Sequence, residues 1–91
     1  MMTIKTFSCV LYSDPSHAWA KVKRDVLVNL HIAEHVSAFS YQRGDYVYLE
    51  EDSDLSLLEQ ALNERGTRLV YKEKGTDNLS RIRSYERYEH V

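Results

Sequence analysis

The sequence predicts a small α+β domain. We expect an antiparallel sheet with two helices on one face, in the ferredoxin-like βαββαβ order with extra N- and C-terminal strands. Three observations lead there. Two alternating runs flank Gly44, the only glycine in the first sixty-five residues, and read as a hairpin. Leu55, Leu58, Ala61 and Leu62 recur at helical spacing and end on Arg65-Gly66, a helix with a stop signal. Short β-rich runs stand before and after these two units. A chain of 91 residues supplies one domain, 1–91, with a small core.

Residues 3–12 alternate, with Phe7, Cys9 and Leu11 on one side and Thr6, Ser8 and Val10 on the other. Asp14-Pro15-Ser16 breaks the run. Residues 18–22 read as a strand with Ala20 and Val22 inward, Trp19 and Lys21 outward. Val26, Leu27 and Leu30 then mark a helix over 24–31, about two turns long and dependent on packing.

The hairpin has two candidate registers. A two-residue turn at Arg43-Gly44 asks Arg43 for a positive φ, which it adopts poorly. A three-residue loop, Gln42-Arg43-Gly44, with a glycine bulge fits better. It sets Tyr41 opposite Asp45 and Phe39 opposite Val47. Phe39, Tyr41 and Leu49 then share one face, and Ser40, Tyr46, Tyr48 and Glu50 the other. The acidic run 50–54 is a helix start, with Ser53 or Asp52 as cap and Asp54 favouring the dipole. A strand at 67–72, a loop at 74–78, a strand at 80–85 and a frayed tail at 86–91 complete the chain.

Composition narrows the function classes. Apolar residues make up 43% and charged residues 29%, ordinary for a globular protein. A net charge of -2 is too small to imply a DNA mimic or a nucleic-acid-coating protein. Cys9 stands alone, so no internal disulfide forms, and its apolar setting reads as an inert thiol. With no signal peptide and no membrane-length apolar segment, the expected setting is cytoplasmic. His31 and His35 are four apart but lack partners, so neither metal nor cofactor is expected. The acidic run lacks the spacing of a calcium loop. Ser16 and His17 are adjacent in sequence with no third group, so no catalytic residue is assigned and the chain is read as non-enzymatic.

The candidate binding residues are aromatic and cationic. Trp19, Lys21, Tyr46 and Tyr48 would form a platform on the sheet face away from the helices, rimmed by Lys23, Arg43, Arg81 and Arg83. Such platforms stack the bases of single-stranded nucleic acid. Residues 43–48 resemble the start of the RNA-recognition-motif strand signature, departing at Asp45, where an aromatic is wanted. Tyr46, Tyr48 and Arg43, together with Arg81, Arg83 and Tyr85, are equally the residue types of protein-binding hot spots.

Three runs carry a wider resemblance: Ser16-His17-Ala18-Trp19-Ala20-Lys21-Val22, residues 40–52, and Ser80-Arg81-Ile82-Arg83-Ser84-Tyr85-Glu86. Together they resemble a family of short bacterial, prophage and phage proteins that carry no assigned activity, so no site residues carry over. His31 stands where such sequences tend to have a glycine. The phage setting implies a small inhibitory module that engages a host protein, including components of host defence. That is the first expectation. Nucleic-acid or nucleotide binding on the aromatic face is the alternative, and a structural homodimer the third; no membrane partner is expected.

Overall fold

Period-two alternation sorts strand residues onto two faces, and the whole domain is assembled on that sorting. The structure is a computed structural model that describes residues 5–90. The strands are β1 (Lys5–Ser13), β2 (Ala18–Lys23), β3 (Tyr41–Arg43), β4 (Tyr46–Glu50), β5 (Thr67–Gly75) and β6 (Glu86–Arg87). Helix α1 (Arg24–Asn29) follows β2, and α2 (Leu55–Glu64) joins β4 to β5. Short 3-10 turns cover Ala33–His35 and Arg81–Ser84. Thr3 and Ile4, part of the expected first strand, lie outside the described residues. Among the described residues no helix is long and apolar enough to cross a membrane.

The α+β class stands, but the sheet is mixed rather than antiparallel. Six strands run in the order β5-β1-β2-β4-β3-β6. β5 pairs with β1 in parallel over its whole length, from Lys5↔Thr67 to Ser13↔Gly75. The other pairs are antiparallel. β1 is therefore an interior strand lying between β5 and β2, not an appendage at an edge.

One face carries the main core. Ala18, Ala20, Val22, Val47, Leu49 and Leu11 gather with Leu27 of α1 and Leu55, Leu58 and Leu62 of α2 in one buried cluster. Leu27, Val47, Leu49 and Leu58 are fully enclosed. Burying each such side chain contributes about 1.5–3 kcal/mol, which holds the short α1 in place.

The hairpin adopts neither expected register. Tyr41 pairs with Tyr48, Gln42 with Val47 and Arg43 with Tyr46. The loop is Gly44-Asp45, and Gly44, at φ 58, takes the first central position that a type II′ turn reserves for glycine. Tyr41 consequently shares a face with Tyr48, and Phe39 leaves the sheet, 65% exposed. The physical reason is distant in sequence. Tyr41 meets Trp19 edge-on at 6.2 Å between ring centroids, and Ser40 is buried by Asp54.

Asp54 occupies the N-cap position of α2 but makes no side-chain cap bond. Its carboxylate accepts instead from Ser37 Oγ at 2.7 Å, Ser37 N at 3.1 Å and Ser40 Oγ at 2.5 Å. Ser40 Oγ in turn accepts from Glu50 N at 3.0 Å. The acidic residue expected to serve the dipole thus ties the segment before β3 to the start of α2.

His31 closes α1 with a φ of 60, the left-handed region where glycine is favoured. His31 N donates to Val28 O and Ile32 N donates to Leu27 O, both at 3.0 Å, which is the Schellman pattern.

The C-terminus departs most from expectation. Residues 81–84 form a 3-10 turn, not a strand, with Ser80 Oγ accepting from Ile82 N at its start. The tail is not frayed at its beginning: β6 pairs with β3, and Tyr88, 5% exposed, donates through its hydroxyl to Ala33 O.

Candidate functional site

The face opposite the main core carries the candidate residues. Its register forms a row across all six strands: Lys72, Val10, Lys21, Tyr48, Tyr41 and Arg87. A second row runs Lys74, Tyr12, Trp19, Glu50. Alternation along each strand then adds Lys23, Arg43, Tyr46, Arg68 and Val70 to the same side.

Part of this face is a second core. Trp19, Tyr41, Tyr48 and Ile82 are buried together, with Tyr12, Tyr46 and Tyr85 packed against them. Trp19 is only 2% exposed and Tyr48 6%. The open aromatic platform expected from sequence is thus covered at its centre by the C-terminal turn. Burial pushes the Tyr48 phenol pKa up, aided by Tyr85 and Tyr12 nearby.

Asp14 fastens that cover. It lies in the turn between β1 and β2 with its side chain wholly enclosed. Its carboxylate accepts from Ser16 N and His17 N within the turn. It also accepts from Ser80 N at 3.0 Å, Arg83 Nε at 2.6 Å and Arg83 Nη2 at 3.0 Å. The Arg83 bond foremost, with the backbone donors, holds the Asp14 carboxyl well below the usual carboxylate range. The Arg83 guanidinium also lies 5.4 Å from the Trp19 ring. Such bidentate pairing and stacking suit arginine and not lysine. Arg83, expected as a binding residue, holds the turn through Asp14 and stays partly exposed at the edge of a second cleft; in the sequence Asp14 stands out only as part of the chain break before β2.

Covering the centre leaves a cleft beside it. Its volume is about 600 Å³, and Tyr12, Lys21, Tyr48, Tyr85, Leu79 and Arg81 are among its walls. Among the described residues no carboxylate lines it. The size falls in the range of ligand pockets, roughly 300–1,000 Å³. Lys21 Nζ lies 4.2 Å from the Tyr46 ring centroid, and the Arg43 guanidinium 5.0 Å from that of Tyr85. Of the expected residues, Lys21, Tyr46 and Tyr85 are half-buried around the cleft and hairpin, while Arg43 and Arg81 are exposed. Trp19 and Tyr48 lie beneath.

Charge is sorted between the two sides. The strand cations Lys21, Lys23, Arg43, Arg68, Lys72, Lys74 and Arg87 share the Tyr48 face, where Glu50 is the only strand carboxylate among the described residues. None of these cations forms an ion pair among the described residues. Glu73 and Glu86 point to the other side, and Asp25, Glu59 and Glu64 lie on the helices. The net charge of -2 hides this separation. The signal was available in sequence as the even-numbered cations Arg68, Lys72 and Lys74, once the strand was known to extend to Gly75.

Cys9 lies on the main-core side, half-buried, and burial pushes its thiol pKa up. Comparison with protein-family models, with curated proteins and with solved structures returns no match.

Proposed function

We propose that the protein binds single-stranded nucleic acid across the Tyr48 face. The observation that carries this reading is the row of unpaired cations leading into a carboxylate-free cleft walled by tyrosines. A cationic track engages phosphates, and half-exposed rings such as Tyr85 and Tyr46 offer stacking surfaces for bases. Asp45, the departure from the RNA-recognition signature, sits at the hairpin tip beyond the strands, so its charge does not fall within the track.

The test is fluorescence anisotropy with labelled 12-nucleotide single strands of DNA and RNA, and a duplex control. Four phosphate contacts give a log–log salt slope of about -2.8, so affinity falls about 50-fold between 50 and 200 mM salt. Absence of binding at 50 mM salt contradicts the proposal. A second reading, a protein partner on the same face, is supported by Leu79, 71% exposed at the cleft, and by Val70. It predicts capture of a host protein that Leu79→Ser and Arg81→Ala abolish, with no oligonucleotide binding. The host-defence role implied by the phage resemblance belongs to this second reading.

The same account reads the fold as a ferredoxin-like unit of β2, α1, β3, β4, α2 and β5 with β1 wedged between β5 and β2. Both helices then cover the side away from the cations, which the single shared cluster of α1 and α2 leucines supports.

A further inference from the structure

A second cleft lies on the same face, next to the first across the C-terminal turn, and its reading does not rest on the nucleic-acid proposal. Trp19 and Glu50 are cross-strand partners on β2 and β4, so their side chains stand together. Each carries a buried polar atom without a hydrogen-bond partner, Trp19 Nε1 and Glu50 Oε2. Glu50 as a residue is only 7% exposed. A buried carboxylate oxygen without a partner costs roughly 1–3 kcal/mol, more when charged, and calls for an unseen group.

The neighbours indicate which group. His17, Glu50 and Asp52 each bring one donor atom to a cluster in which all lie within 4.8 Å of one another. His17 Nδ1 stands 3.3 Å from Glu50 Oε1. Two donors held about 2.0–2.1 Å from one ion at the tetrahedral angle lie roughly 3.3–3.4 Å apart. That is the spacing of a His–carboxylate ion pair and equally of two ligands on a shared ion, and the pair forms no hydrogen bond of acceptable geometry among the described residues. The cluster opens into a cleft of about 400 Å³ that Trp19, Ser53, Arg83 and Arg87 also line, with the Arg83 charge already paired to Asp14.

From this we infer that His17, Glu50 and Asp52 bind a divalent transition-metal ion of the zinc class. Imidazole nitrogen with two carboxylates favours such an ion over magnesium or calcium, which take oxygen donors. Three protein ligands leave the fourth tetrahedral position to water. The ion neutralises the two carboxylates, and held through both Glu50 oxygens it takes up the orphaned Oε2 together with Oε1. The donors come from rigid segments. His17 is fixed through its backbone to Asp14, and the turn after β4 is closed by Asp54 N on Glu50 O at 2.9 Å. The grouping is made by two separate turns, so no histidine spacing along the sequence marks it.

The experiment is titration of the purified protein with Zn²⁺ by calorimetry and with Co²⁺ by visible absorption. The expected result is one ion per chain and the intense visible bands of four-coordinate cobalt. His17→Ala, Asp52→Asn and Glu50→Gln each weaken binding at least ~10-fold, while His35→Ala, on another surface, does not. Far-UV circular dichroism confirms that each variant is folded, and Glu50→Gln keeps the volume of the buried side chain. No uptake at millimolar metal overturns the inference and leaves a bound water as the missing group. Binding that survives His17→Ala, or that follows His35, overturns it as well.

Discussion

The two faces of the sheet are buried by different physics. In the main core, Leu49 and Val47 of the sheet pack with Leu27 of α1 and Leu58 of α2 through apolar side chains. On the Tyr48 face, a short C-terminal turn covers Trp19 and Tyr41, and polar bonds to Asp14 help hold it. The first kind of burial is non-directional and contributes through area. The second is directional and converges on one carboxylate. The contrast predicts that the Tyr48 face opens at one place while the domain stays folded, and it can be probed from both sides.

The largest effect belongs to the apolar side. Leu58→Ala creates a cavity beneath α2 and costs about 3 kcal/mol, a fall in Tm of at least ~10 °C. Trp19, the only tryptophan, reports nothing before the global transition. Asp14→Asn comes next. It weakens the Arg83 fork, lowers Tm by roughly 5–10 °C and shifts Trp19 emission to the red before global unfolding. If both variants give coincident fluorescence and circular-dichroism transitions, the two faces are one cooperative unit and the contrast fails.

Acid acts on the same link. The folded state holds Asp14 below its ordinary range, so the unfolded chain binds the proton first. The stability it confers is complete above the unfolded value of about 3.9 and drains away as pH falls below that. Urea titrations at pH 6, 4 and 3 should show a smaller acid-induced loss in Asp14→Asn than in the parent chain. Equal losses contradict the role given to Asp14.

A smaller gain is expected at the end of α1. His31→Gly relieves the left-handed backbone there and should raise stability by about 1 kcal/mol, read as a higher urea midpoint with unchanged slope.

What was legible in sequence follows the range of the interactions. α2 shows in Leu55, Leu58, Ala61 and Leu62 because a stripe and a stop signal are local, and Gly66 takes the positive φ its position implies. The opposite faces of Trp19 and Ala20 follow from alternation alone. The hairpin register was not legible, because Tyr41 is placed by Trp19, twenty-two residues away, and not by the turn. The C-terminal turn was misread as a strand because Arg81, Arg83 and Tyr85 alternate, while Arg83 answers to Asp14 across 69 positions. Lys21, Tyr46, Tyr85, Arg43 and Arg81 were found as surface candidates from residue type. The cleft beside them required knowing that Ile82 folds over Tyr48.

The most direct measurement compares salt slopes for a 12-nucleotide single strand between the parent chain and Lys21→Gln/Lys72→Gln, two positions in one row across the sheet. Losing two phosphate contacts should flatten the slope by about 1.4 and weaken binding at low salt. A slope and affinity identical to those of the parent chain would place the ligand elsewhere and contradict the account.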